Sequence, residues 1–214
     1  MKKQFLKLVL LFMSFAMIFS PLSAEAQGNV PQEKRISQAA CQLKGDLRKL
    51  WTDHVMWTRL YIVSALEGLD DQENVLGRLL ENQEDLGDFF KTYYGEAAGN
   101  KLTKLLKDHI LIAGKVVDAA KSGNKANLEK FNKEWYKNAD DIADFLSKAN
   151  PNWPKAELKK LLEIHLELIT EDVAARLVKD WEASVDALDK GIDHIIMLAD
   201  TLSNEIVKQF PKKF

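Results

Sequence analysis

A short pattern of leucines that ends in histidine occurs three times, and it constrains the fold of this 214-residue chain more than any other feature. The pattern is L-x-x-L-[LW]-x-x-H, with copies at Leu47–His54, Leu102–His109 and Leu158–His165. Self-similarity at a constant period indicates repeated structural units. The apolar residues and the histidine stand at i, i+3, i+4 and i+7, which is the spacing of one face of an α-helix. We therefore expect each histidine to face the interior of a helical protein.

A second pattern follows each copy and reads Asn-x-x-Asp-[Leu/Ile]-[Gly/Ala]-Asp-Phe in the first two units, beginning at Asn82 and Asn138. In the third unit His194 replaces the asparagine. The midpoint between each first-pattern histidine and this residue falls on a break in the apolar periodicity, at Gly68, Gly123-Asn124 and Lys179-Asp180. Residues equidistant from the turn of an antiparallel hairpin lie at one height. The sequence thus predicts all four histidines at a single level.

These observations predict an all-α protein of six long antiparallel helices, arranged as three related helical hairpins in one bundle. The repeat units run over about 43–95, 97–150 and 154–210, inside a single helical-bundle domain at 37–214. Glycine, asparagine and proline supply the predicted helix ends, and Pro154 stands in the first turn of the fifth helix. No alternating apolar run is long enough to indicate a strand.

The N-terminus has the order of an export signal. Lys2 and Lys3 precede an apolar run over 5–19, and Ala24 and Ala26 supply the small residues of a cleavage site. We predict a signal peptide at 1–26, a flexible leader at 27–36 and a secreted or cell-envelope location, with no membrane span after cleavage. The formal charge of −2 gives no reason to expect nucleic acid as a partner, since phosphate binding needs a concentrated basic surface.

The histidine level is the candidate functional site. Neutral imidazole is a common ligand of transition metals, and bundle cores often build metal sites from facing helices. One hypothesis is therefore a helical-bundle binding protein for a transition metal (Zn, Cu or Fe) or a small cofactor. Its predicted metal ligands are His54, His109, His165, His194, Asp85, Asp141 and Asp200. Asn82 and Asn138 would orient those ligands from behind.

The alternative is a structural or interaction protein of the cell envelope, in which histidines and asparagines form only a buried hydrogen-bond network. Such a layer would fix helix register, because a shifted pairing leaves buried polar groups unsatisfied. No phosphate-binding glycine loop, HExxH or G-x-S-x-G motif occurs. The single cysteine offers no disulfide framework. We therefore expect no catalytic residues and a protein that is not an enzyme.

Four segments resemble a group of small, mostly uncharacterised secreted helical proteins of Gram-positive bacteria. They are L-W-x-x-H-x-x-W-T-R at Leu50–Arg59, Tyr93-Tyr94-Gly95, the segment Trp135–Asp140 and the segment Met197–Asp200. The similarity covers nearly all of the chain after the signal and implies a secreted helical protein. Some members are described as glycosyltransferases or acetylglutamate kinases, activities that need a nucleotide-binding α/β domain. The sequence has no strand–loop–helix phosphate signature, and the resemblance supplies no catalytic residue.

Overall fold

Six α-helices account for nearly all of the residues that the structure, a computed structural model, describes, which are residues 37–214. They are α1 (Gln38–Glu67), α2 (Gln72–Tyr94), α3 (Glu96–Lys121), α4 (Lys125–Ala149), α5 (Lys155–Leu177) and α6 (Trp181–Gln209). The all-α prediction is confirmed. The predicted signal peptide and leader lie outside the described residues. Between residues 37 and 214, no helix combines the length and the apolar character needed to cross a membrane.

The turn inside each hairpin uses one residue in the left-handed backbone conformation. Gly68 has φ +70° and Gly123 has φ +68°, a region that glycine enters without a Cβ clash. The third hairpin has Lys179 there, with φ +63°. Side chains then cap two of the second helices, since Asn124 accepts from the backbone N–H of Asn127 and Asp180 from that of Ala183. The third break, which is weak in sequence, is therefore a turn of the same kind.

The helices form a closed ring in chain order. Each helix packs against the next one, and α6 returns to α1, while the odd-numbered helices α1, α3 and α5 also contact one another. The three hairpins therefore converge, with the first helix of each hairpin innermost. The junction between α4 and α5 is the smallest of the six between neighbouring helices.

A buried ion pair ties the first hairpin to the third. The Arg59 guanidinium of α1 pairs with the Asp172 carboxylate of α5, and Ser184 of α6 donates to the same carboxylate at 2.8 Å. Arg59 also donates to the Ser184 hydroxyl at 2.8 Å. Because a buried charge is tolerated only with close partners, these three side chains fix how α1 packs against α5 and α6.

Aromatic side chains close the end of the bundle away from the hairpin turns. The Phe90 and Tyr94 rings stack with centroids 4.0 Å apart, and Trp153 lies beside both. Asn150, which is fully buried, donates to the Tyr94 hydroxyl and to the backbone carbonyl of Glu205. The link between α4 and α5 is thereby anchored to α2 and α6.

Two glycines allow α2 and α3 to approach at backbone distance. A Cβ placed on Gly87 would lie 3.0 Å from the carbonyl oxygen of Gly99, and a Cβ on Gly99 would lie 2.7 Å from that of Gly87. Neither position has room for a methyl group unless the helices separate. The close approach accordingly fixes the junction between the first and second hairpins.

We expect Gly99→Ala to lower the free energy of unfolding by about 1–3 kcal/mol, because the added methyl group overpacks two backbones. Gly77→Ala is the matched control, since Gly77 is exposed in α2 with nothing within 4 Å of an added Cβ. There the better helix propensity of alanine should raise stability by up to about 1 kcal/mol. Urea unfolding of both variants measures the difference, and equal effects would contradict this packing argument.

Candidate functional site

All four histidines of the described chain lie in the interior, with between 3 and 7% of each residue exposed. His54, His109 and His165 come from the three innermost helices, and His194 comes from α6. The contacts among α1, α3 and α5 bring together the helices that carry three of these histidines. The interior position that the repeat predicts for each histidine is confirmed.

One hydrogen bond is repeated in all three hairpins. A side-chain N–H on the second helix donates to a leucine carbonyl on the first, four residues before that helix's histidine. The donors are Asn82, Asn138 and His194, and the distances are 3.0, 3.1 and 2.8 Å to Leu50, Leu105 and Leu161. Each carbonyl has a second lone pair available for this bond. His194 therefore replaces asparagine because its Nε2–H supplies the same donor.

His109 has both ring nitrogens engaged. Trp135 Nε1 donates to His109 Nε2 at 3.0 Å, so this nitrogen is an acceptor and the proton is on Nδ1. His109 Nδ1 then donates to Asn138 Oδ1 at 2.7 Å. The chain from Trp135 through His109 and Asn138 to the backbone carbonyl of Leu105 is fully paired. It fixes the tautomer of His109 and leaves the ring no free nitrogen.

In the first hairpin, His54 lies beside a side-chain amide, that of Gln83, which the repeated patterns did not predict. Gln83 Nε2 lies 3.2 Å from His54 Nδ1, 2.7 Å from the carbonyl oxygen of Leu79 and 3.0 Å from Asn82 Oδ1. Its two hydrogens can serve two of these three acceptors at a time. Gln83 gave no signal in the repeat, because the equivalent residues of the other hairpins are Ala139 and Ile195.

The third hairpin leaves one imidazole atom without a partner. His165 Nδ1 is buried and has no hydrogen bond within residues 37–214. The His165 ring lies 5.5 Å, centroid to centroid, from that of His54. Since Ile195 stands where the first hairpin has Gln83, no amide reaches this nitrogen from the corresponding position.

Burial keeps these rings neutral. Desolvation lowers the pKa of His54 from 6.5 to about 3 and that of His109 from 6.5 to about 4. Desolvation, followed by the neighbouring imidazoles, lowers the pKa of His165 well below its ordinary value. The layer therefore favours neutral hydrogen-bond partners and disfavours positive charge.

The structure does not bring the predicted carboxylates to the histidines. Asp85 pairs with Arg78, Asp141 with Lys137, and Asp200 with Lys44 and Arg48, all at the outer surface. Three residues along a helix rotate a side chain by about 60° away from its starting face, and six residues by about 120°. These aspartates therefore leave the interior face that Asn82, Asn138 and His194 occupy. Within residues 37–214, no group of three or more His, Cys, Asp or Glu side chains is arranged to hold a metal ion.

An apolar cavity of about 230 Å³ begins one helical turn from the histidine layer, on the side of the hairpin turns. Its floor consists of the residues four positions after the three inner histidines, namely Thr58, Ala113 and Ile169. The residues one further turn along also line it, namely Ile62, Val117 and Val173. The cavity therefore lies along the common axis of the three hairpins.

Trp135 joins the two features, since it lines the cavity and its indole N–H is held by His109. On the other side of the layer, a gap among Trp51, Phe90 and Trp153 has a volume of about 30 Å³. The histidine layer therefore divides the bundle into a filled half and a half with a cavity. Sequence spacing located the layer but gave no sign of the cavity, which depends on how far the helices separate.

No protein-family model matches this chain, and no curated protein or solved structure is significantly similar to it. The resemblance to secreted helical proteins therefore stays a prediction. The proposed function therefore depends on the geometry of the histidine layer and the cavity.

We expect Asn138→Ala to lower the free energy of unfolding by about 2–4 kcal/mol. The substitution leaves the buried His109 Nδ1–H without its acceptor and empties the space that the Asn138 amide fills. Asp141→Ala, one turn along α4 and exposed, should change stability by less than about 0.5 kcal/mol. Chemical denaturation of the two variants makes the comparison. Similar losses of stability in the two variants would contradict the claim that the buried layer stabilises the fold more than the surface aspartates do.

Stability should fall as the pH drops below 6.5. The unfolded chain then binds protons on its histidines, whereas His54 and His109 stay neutral in the folded chain until their lowered pKa values of about 3 and 4 are reached. At pH 4.5, each of these two histidines should lower the free energy of unfolding by about 2–3 kcal/mol relative to its value at pH 7.5. Urea unfolding at both pH values measures this loss of stability. In His109→Gln the loss between pH 7.5 and pH 4.5 should be smaller by the contribution of one histidine. A free energy of unfolding that does not change between the two pH values would contradict the buried, neutral layer.

Proposed function

We propose that the chain is an extracytoplasmic, non-catalytic binding protein that holds a small molecule inside its helical bundle. The cavity above the histidine layer carries this proposal. It lies on the axis where the three hairpins meet, and equivalent positions of the three repeats form its floor. The extracytoplasmic location rests on the predicted export signal.

The energetic cost of the cavity supports a ligand over a packing defect. At about 24 cal/mol per Å³, an enclosed, empty cavity of about 230 Å³ would cost on the order of 5 kcal/mol, which is the upper limit here because exposed Leu177 and Ala174 also line this cavity. That is comparable with the whole stability of a marginal domain. In the other half of the core, the gap among Trp51, Phe90 and Trp153 is much smaller, about 30 Å³. A ligand that occupies the space would recover the lost contacts.

The layer itself supports binding over catalysis. A general base needs a pKa near the working pH and a free nitrogen aimed at the substrate. His109 has both nitrogens occupied, and the pKa values of His54 and His109 are about 3 and 4. In this proposal the histidines form a rigid neutral platform that holds the three inner helices at the spacing which keeps the cavity open.

A transition-metal site remains the second candidate. The unpartnered Nδ1 of His165, next to the His54 ring, favours it, since neutral imidazole nitrogens bind copper and zinc. Two imidazoles without a carboxylate make a sparse ligand set, and the burial that lowers the histidine pKa values also makes a cation at this level costly to desolvate. This candidate predicts stoichiometric zinc, copper or iron in untagged protein, with loss of the metal in His165→Ala.

The binding proposal predicts that Ala113→Leu abolishes ligand retention and raises the free energy of unfolding by about 0.5–2 kcal/mol. Ala113 is in the cavity floor, and three added carbon atoms fill space that the wild type leaves open. Ala97→Leu, exposed near the start of α3, is the control and should retain ligand. Native mass spectrometry of untagged protein, and its thermal shift with a panel of small compounds, detect binding, while elemental analysis of the same sample tests for metal.

Two results would count against the binding proposal. One is wild-type protein that carries no small molecule and responds to the panel no more than Ala113→Leu does. The other is a ligand that Ala113→Leu retains as well as the wild type does, because the cavity would then not be its site. Stoichiometric metal without an organic ligand would instead favour the transition-metal site at His165 and His54.

A further inference from the structure

We propose that the cavity takes a wholly apolar ligand, one that carries no hydrogen-bonding group. This inference rests on the proposed binding function and names the ligand class for that site. Three features of the cavity wall support it: its lack of a counter-charge, the positions of its polar atoms and the apolar side chains at its opening.

The wall has no counter-charge for an ion. None of the residues between 37 and 214 that line the cavity is acidic, basic or a histidine. Burial, followed by the nearby Asp118 and Glu73 carboxylates, raises the pKa of Tyr61 to about 12, so its hydroxyl stays neutral. A carboxylate or ammonium group would lose its hydration here without gaining a partner, which is costly in an apolar interior. Charged ligands are therefore excluded by the chemistry of the wall.

The two threonines in the wall offer no free hydroxyl to a ligand. Thr58 Oγ1 has almost no accessible surface, so a molecule in the cavity does not reach this oxygen. Thr170 Oγ1 donates to the carbonyl oxygen of Leu166 at 2.8 Å, inside its own helix. Thr58 therefore contributes carbon atoms to the wall, and the Thr170 hydroxyl has no hydrogen left to donate.

The two aromatic residues of the wall have their polar atoms beside α3. The Trp135 indole N–H donates to His109 Nε2 at 3.0 Å, inside the histidine layer. The Tyr61 hydroxyl oxygen lies 2.9 Å from the position that a Cβ on Gly114 would take. We therefore expect a ligand in the cavity to contact the rings of Tyr61 and Trp135 and not their polar atoms.

These positions make a polar group on the ligand unfavourable. A hydroxyl or carbonyl that entered the cavity would leave its hydrogen bonds to water and find no partner in the wall. Burial of an unpaired hydroxyl weakens binding by about ten- to hundredfold. A hydrocarbon has no such cost, because its transfer from water to an apolar interior is favourable.

The part of the wall that reaches the surface is apolar as well. Leu177 is 41% exposed and Ala174 is exposed, and both line the cavity. Val178, the next residue along the chain, is 76% exposed. An apolar ligand therefore meets apolar side chains at the opening as well as inside.

The volume sets the size of a suitable probe. An apolar cavity of about 150 Å³ binds benzene. In proportion, a cavity of about 230 Å³ holds roughly nine carbon atoms. Indane, a fused bicyclic hydrocarbon, has this size.

Calorimetry on the full chain with three probes of similar size tests the inference. The probes are indane, 2-indanol, which adds one hydroxyl, and benzoate, which is an anion. We expect indane to bind about ten- to hundredfold more tightly than 2-indanol, because the hydroxyl finds no partner, and benzoate not to bind. Ala113→Leu, which fills the cavity floor, should abolish the binding of indane. Ala97→Leu should keep it.

Tyr61→Phe and Thr170→Val test whether a hydroxyl of the wall contributes to binding. Each variant should leave the ratio of the indane and 2-indanol affinities unchanged, since neither hydroxyl serves the ligand. Equal or tighter binding of 2-indanol by the wild type would overturn the inference. Loss of that affinity in Tyr61→Phe or Thr170→Val would then identify the hydroxyl that holds the ligand.

Other outcomes separate this inference from the binding function. Binding of benzoate, or a co-purified polar molecule that Ala113→Leu releases, would overturn the apolar class and leave the function intact. Wild-type protein that holds no molecule and binds none of the three probes would contradict both proposals.

Discussion

The structure depends on a second hydrogen bond to one backbone carbonyl in each hairpin. Leu50, Leu105 and Leu161 are internal helix residues whose carbonyls also accept a side-chain N–H from the partner helix. These donors are buried, so any change of helix register would leave them unsatisfied at about 1–3 kcal/mol each. Apolar packing tolerates small sliding of helices, but these directional bonds do not. The polar layer therefore sets the relative height of the two helices within each hairpin.

That constraint accounts for the unequal packing of the two halves. On one side of the layer, aromatic rings such as Phe90 and Trp153 fill the space between the helices. On the other side, the inner helices carry smaller residues, including Ala113 and Val117, and the same interhelical spacing leaves a cavity. The helices cannot shift freely into this cavity, because the layer and the Arg59–Asp172 pair fix their positions relative to one another. A rigid polar level thus allows a void that a purely apolar core would close.

The sequence predicted the helices and the histidine level because both follow from periodicity and from symmetry about each turn. It predicted the wrong surroundings for those histidines: Asp85 and Asp200 recur with the repeat, yet they pair with surface arginines. Recurrence shows that a position is equivalent among hairpins, not which way its side chain points. Gln83 escaped notice because it occurs in one hairpin alone. The cavity was inaccessible to sequence reasoning, since it depends on distances between helices that are remote in the chain.

Departures from the repeat are concentrated where the ring of helices is least symmetric. The third hairpin has His194 in place of asparagine, Ile195 in place of the amide and Lys179 in place of the turn glycine. It keeps the donor to Leu161 but leaves His165 Nδ1 without a partner. The smallest junction between neighbouring helices also lies at the start of this hairpin, between α4 and α5. Leu177 and Ala174 of α5 are exposed and line the cavity, so the cavity reaches the surface beside this third, most divergent hairpin.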